Sequence, residues 1–65
     1  MSIEQVMSLE IGDALILSGL NPDVIPTGKL RLIVSEENGR LIAQAPGDYQ
    51  KYDVLAWMSG LEIEA

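Results

Sequence analysis

Carboxylates are the side chains of this sequence that could do chemistry. Ten Asp and Glu residues stand against four Lys and Arg residues, and the chain contains neither His nor Cys. Without imidazole or thiol, the usual general base, the cysteine nucleophile and the preferred zinc ligands are all missing. Two paired carboxylates can catalyse a reaction only in a cleft that raises the pKa of one of them. A fold of 65 residues rarely has room for a pocket of about 300 Å³ or more. The sequence therefore predicts a domain that is not an enzyme and that uses no cofactor and no metal.

The acidic residues are spread along the chain and give it a formal charge of −6. Nucleic acids and anionic membranes would repel such a chain, so we expect it to bind neither of them directly. A protein partner with a basic groove fits the charge instead. The acids that we expect to form one negative, partner-binding face are Glu36, Glu37, Asp53, Glu62 and Glu64.

The spacing of two of these acids suggests how that face could work. Glu62 and Glu64 alternate with apolar residues, and in an extended chain they would lie about 6–7 Å apart. Successive phosphates along a nucleic-acid strand have a similar spacing. We therefore expect a nucleic-acid mimic that fills a basic channel on its partner.

In size, acidity and lack of cysteine the chain resembles the phage-borne anti-restriction and anti-CRISPR inhibitors. The resemblance is one of composition. It implies a small inhibitor or regulator that acts by occluding the nucleic-acid channel of another protein.

An apolar stretch over residues 54–58, which contains Trp57 and Met58, suggests a different function. In a small protein the single tryptophan often anchors the core, but tryptophan is also enriched at protein interfaces. The alternative is therefore a structural or assembly subunit that oligomerises through an apolar helix face, for example as a homodimer. The sequence leaves both interpretations of Trp57 and Met58 open.

The elements that must position these residues begin with a β-hairpin. Asn38 and Gly39 form the residue pair preferred in a type I′ turn, and strand-like runs over 29–35 and 40–45 flank them. This register places Glu37 opposite Arg40, which we expect to be an ion pair. The alternation predicts that one face is core, with Leu32, Val34, Leu41, Ala43 and Ala45.

A helix is predicted on each side of the hairpin. Asp48 is a good N-cap, and helical spacing of apolar residues then predicts a helix over 49–58 that ends before Gly60. Ser2 and Gln5 have the spacing of a capping box, and apolar residues recur at helical spacing as far as Ser18. Residues 9–17 also fit a strand, and a helix and a strand that meet at Gly12 would satisfy the same pattern.

Together these elements predict an α+β fold, a helix–β-hairpin–helix domain spanning residues 1–65, with a short extra edge strand at the C-terminus as an open alternative. In its order of elements this prediction resembles the small head-completion proteins of tailed phages.

The expected location is cytoplasmic. The N-terminal residues lack the positive charge of a signal peptide, and the longest apolar run has five residues, far short of the roughly 20 that span a membrane.

Overall fold

A five-stranded antiparallel sheet is the main structure of the chain within residues 1–64, which the computed structural model describes. The strand order is β4-β3-β2-β1-β5, so the last strand lies beside the first. In chain order the elements are α1 (Ile3–Met7), β1 (Ala14–Leu17), β2 (Leu30–Glu37), β3 (Arg40–Gln44), β4 (Lys51–Asp53), a 3₁₀ turn (Met58–Gly60) and β5 (Leu61–Ile63). The predicted helix–β-hairpin–helix fold is therefore wrong, and the resemblance in element order to head-completion proteins does not hold.

The predicted hairpin is confirmed. Asn38 and Gly39 both have positive φ, 54° and 77°, as a type I′ turn requires. The register places Glu37 opposite Arg40 and continues along β2 and β3. The residues of the hairpin that were predicted to face the core are buried, except Leu41, which is half-buried.

The predicted helix over residues 49–58 is absent, and its centre is the edge strand β4. Tyr52 lies opposite Ala43 in the register of β3 and β4. The Asp48 carboxylate accepts a hydrogen bond from the Gln50 N–H at 3.2 Å, but this bond stabilises a turn and does not cap a helix. An isolated helix of this length is marginal in water, whereas β4 satisfies backbone groups of β3 and directs Tyr52 toward the core. Long-range pairing therefore outweighs the helical spacing.

The first helix is much shorter than the segment up to Ser18 in which apolar residues recur at helical spacing. Its capping box is confirmed, since the Ser2 hydroxyl accepts the Gln5 N–H at 3.2 Å and the Gln5 side chain accepts the Ser2 N–H at 2.8 Å. The helix ends at Met7, and Gly12 has a φ of +98° between α1 and β1. A helix that extends to Ser18 is thus wrong, and the alternative of a helix and a strand on opposite sides of Gly12 is confirmed.

The C-terminal edge strand is confirmed as β5, which pairs with β1 through Leu61 opposite Leu17. Gly60 does not occupy the predicted position after a helix, because it closes the 3₁₀ turn instead. A Cβ atom on Gly60 would lie only 3.3 Å from Cδ1 of Leu17. The glycine therefore permits the close approach of this turn to β1.

The core lies on one face of the sheet. The buried residues come from β1, β2, β3 and β5 and from α1 and the segment after β4: Val6, Leu15, Leu17, Leu32, Val34, Ala43, Ala45, Val54 and Leu61. Besides α1, residues outside the strands cover this face: Met1, Leu9, Leu20 and Met58 pack against the buried cluster. Residues 54–60 connect the two edge strands, β4 and β5. No helix of residues 1–64 is long and apolar enough to cross a membrane.

Replacing Gly39 tests the turn that sets the register. Gly39→Val should lower the free energy of unfolding by about 1–2 kcal/mol, because a β-branched residue resists positive φ. Gly39→Asn should lower it by less, since asparagine tolerates this conformation. Nothing lies within 4 Å of a Cβ atom added at Gly39, so the two variants differ in how well they tolerate positive φ and not in steric contacts of the Cβ atom. Urea unfolding followed by circular dichroism measures the free energy of unfolding of both variants. Equal losses of stability would contradict a type I′ turn at Asn38 and Gly39.

Candidate functional site

The strand register separates the predicted negative face into two sides. We call the side of the sheet away from the core the outer face. Glu37, Asp53 and Glu62 project from it, and Glu64 follows β5 with the same alternation. Glu36 belongs to the opposite side, because neighbouring residues in a strand point to opposite faces. The structure thus brings four of the five predicted acids onto one face and separates Glu36 from them.

Three basic side chains neutralise most of the acids on the outer face. Lys51 Nζ lies 2.8 Å from Glu37 Oε2. Arg31 Nε lies 2.9 Å from Glu64 Oε2, and Arg40 Nη1 lies 3.7 Å from Asp53 Oδ2. The expected Glu37–Arg40 ion pair is therefore wrong, because each residue is paired with a side chain of β4 instead. The outer face is nearly balanced in charge.

Two of these ion pairs reach across a whole strand. Lys51 of β4 contacts Glu37 of β2, and Ile42 of β3 lies between them. Arg31 of β2 likewise reaches Glu64 over β1, which contributes Ile16 to the same face. The aliphatic stems of lysine and arginine can cover apolar surface in this way, which accounts for isoleucines that are only half-buried on a solvated face.

The remaining acidity lies largely away from the outer face. No Lys or Arg occurs before Lys29, whereas four acids do: Glu4, Glu10, Asp13 and Asp23. The Gly12 N–H donates to the Val34 carbonyl at 2.9 Å, so the turn that follows α1 lies beside β2. Glu10 and Glu36 are thereby at the same end of the sheet. Within residues 1–64, neither Glu4, Glu10 nor Glu36 has a basic side chain within ion-pair distance.

An apolar groove opens at this end of the sheet, between α1, the hairpin turn and the chain after β4. We call it the hairpin-end groove, and its volume is about 620 Å³. Its lining residues are Val6, Gly39, Arg40, Leu41, Asp53, Leu55 and Ala56.

Exposed apolar side chains occur within this groove and on the helix α1 that forms one of its sides. Leu55 within it is 57% exposed, and Met7, which follows the groove residue Val6 on α1, is 82% exposed. Ile3 is also exposed and lies one helical turn from Met7. Sequence reasoning missed this groove, because it forms only when α1 packs beside the hairpin turn.

Trp57 and Met58 lie in the turn after β4 rather than on a helix face. The Trp57 ring packs edge-to-face on Tyr52, with ring centroids 5.2 Å apart, and Trp57 is 46% exposed. Met58 is half-buried, and its carbonyl accepts a hydrogen bond from the Met1 ammonium group at 2.9 Å. Trp57 is thus neither a buried core anchor nor a fully exposed contact.

Known proteins add no direct indication of function. Comparison of the chain with protein-family models, with curated proteins and with solved structures finds no match. In the described part of the chain, no three acidic side chains gather closely enough to hold a metal ion. The charge distribution and the hairpin-end groove are therefore the features on which a functional proposal can rest.

A double-mutant cycle tests whether Glu37 is held by Lys51 in solution. Glu37→Gln and Lys51→Met should show a coupling energy of about 0.2–1 kcal/mol, because both side chains are partly exposed. The coupling should fall as salt is added. Urea unfolding of the two single variants and the double variant gives this number. A coupling of zero at low salt would mean that Glu37 is free to meet a partner, contrary to the geometry.

Proposed function

We propose that this chain is a non-catalytic protein-binding domain that acts by occupying a basic surface of another protein, with the hairpin end as its contact. One observation carries the proposal: carboxylates without a basic neighbour and exposed apolar side chains occur together at that end. Most of the outer-face acids, in contrast, are already paired. A cytoplasmic location is part of the same proposal.

Charge and apolar surface would contribute to binding in different ways. A chain of formal charge −6 attracts a basic partner over a distance, which raises the association rate. Apolar side chains such as Leu55 and Met7 bury surface in the complex, which slows dissociation. Carboxylates without a local cation can pair with the partner directly, whereas a contact at the outer face must first disrupt existing ion pairs.

The outer face supports a second candidate, a nucleic-acid mimic that inhibits a nucleic-acid-handling protein. The favouring observation is that Glu37, Asp53, Glu62 and Glu64 share this face. Binding through it would require the partner to replace Arg31, Arg40 and Lys51 as the neighbours of three of these acids.

A matched pair of charge variants distinguishes the two surfaces. The first variant combines Glu4→Gln, Glu10→Gln and Glu36→Gln at the hairpin end. The control combines Glu37→Gln, Glu62→Gln and Glu64→Gln on the outer face, so both variants lose the same charge. A partner captured from a lysate and identified by mass spectrometry is titrated by calorimetry. The first variant should weaken binding about tenfold at low salt and the control much less, since three exposed charge contacts contribute about 1–2 kcal/mol.

The other outcomes exclude the proposal in different ways. Equal weakening by both variants would show that only net charge matters. Stronger weakening by the control would make the outer face the contact and favour the mimic. If neither variant changes the affinity, an acidic contact is excluded altogether. Urea unfolding of each variant confirms that it is folded before binding is compared.

A further inference from the structure

We infer that the hairpin-end groove receives the apolar side of a basic amphipathic helix from the partner protein, an inference that rests on the proposed function. The groove supplies an aliphatic surface from Leu41, Leu55 and Ala56, and the buried Val6 also lines it. A helix that docks in such a groove inserts apolar side chains spaced three and four residues apart.

The chemistry of the groove disfavours the other common modes of peptide recognition. Strand addition needs a free sheet edge, but β4 and β5 have only three residues each and carry the charges of Lys51, Asp53 and Glu62. Proline-rich segments dock in grooves lined by aromatic side chains, and this groove has none among its lining residues in the described chain. A phosphorylated or acidic peptide would be repelled by the acidic chain.

The charges beside the groove fit a helix with basic flanks. Glu36 lies opposite the groove residue Leu41 in the strand register, so the two side chains project to the same side of the sheet. Among the described residues, Arg40 is the one base that lines the groove, and its Nη1 lies 3.7 Å from Asp53 Oδ2. Lysine or arginine side chains on a flank of the docked helix would therefore meet Glu36, in a chain whose first 28 residues carry acids and no Lys or Arg.

A second copy of the chain fits the groove less well than such a helix does. The N-terminal segment that forms one side of the groove has acids and no Lys or Arg before residue 29, so two copies would bring like charges together.

A synthetic peptide of leucine and lysine tests the inference without knowledge of the partner. In the test peptide leucines recur at helical spacing on one side, and the control peptide has the same composition in an order without an apolar side. Wild-type protein should bind the test peptide at least about tenfold more tightly than the control, because only a helix with an apolar side can fill the groove. Calorimetry gives the affinities, and the fluorescence of the single tryptophan, Trp57, provides an independent signal.

Matched variants locate the binding on the protein. Leu55→Ser should weaken binding of the test peptide about tenfold, because it removes apolar contact within the groove. The control is Val24→Ser, which changes a 75% exposed apolar residue outside the groove and should leave the affinity unchanged. Both residues are exposed, so both variants should fold, and urea unfolding checks this.

Several results would overturn the inference while leaving the proposed function testable. Equal binding of the two peptides would mean that charge alone attracts them, and no binding would exclude a basic helix. An unchanged affinity of Leu55→Ser would place the contact elsewhere. A wild-type dimer in sedimentation that Leu55→Ser dissociates would make a second copy the occupant. The proposed function fails by a different result, an identified partner whose affinity does not depend on Glu4, Glu10 and Glu36.

Discussion

Burial of the apolar inner face of the sheet is the constraint on which the rest of the structure depends. Leu15, Leu32 and Leu61 come from three different strands, and each has no exposed surface. The five-residue helix α1 and residues of the connecting segments, Leu20 and Met58 among them, pack against this face. Within residues 1–64 no longer α-helix covers it. The short helix covers the hairpin end only in part, since the groove stays open beside Val6. The hairpin-end groove is thus a consequence of how a short chain encloses its core.

The register of the sheet separates the charges of the chain. Arg31, Arg40 and Lys51 lie on the outer face, where each of them is paired with an acid. This pairing balances the outer face and leaves the acids of the N-terminal segment and Glu36 without cations. Surface ion pairs of this kind add little stability, so their main effect is on which carboxylates a partner can reach. A net charge of −6 is therefore a poor description of any single surface of this protein.

Local signals in the sequence predicted the elements that depend on few residues. Asn38 and Gly39 defined the hairpin, and Ser2 with Gln5 defined the start of α1, because turn and cap chemistry is set within four residues. Residues 49–58 were misassigned because β4 exists through its pairing with β3, which no local pattern reveals. The separation of Glu36 from Glu37 follows from strand alternation, so the sequence could have predicted it. The ion pairs of Arg31 and Lys51 could not be predicted, because they join strands whose order in the sheet is unknown from sequence.

The central claim is that a partner contacts the hairpin end and leaves free the part of the outer face beyond Arg40 and Asp53, which line the groove. Amide chemical shifts of the isotope-labelled chain, recorded with and without the identified partner, test it most directly. The account predicts that the largest changes occur at Val6, Leu41 and Leu55 and at the neighbouring Glu36. It predicts small changes at Ile33, Gln44 and Glu62 on the outer face and its edge. The reverse pattern, with the largest changes at these last three residues, would contradict it.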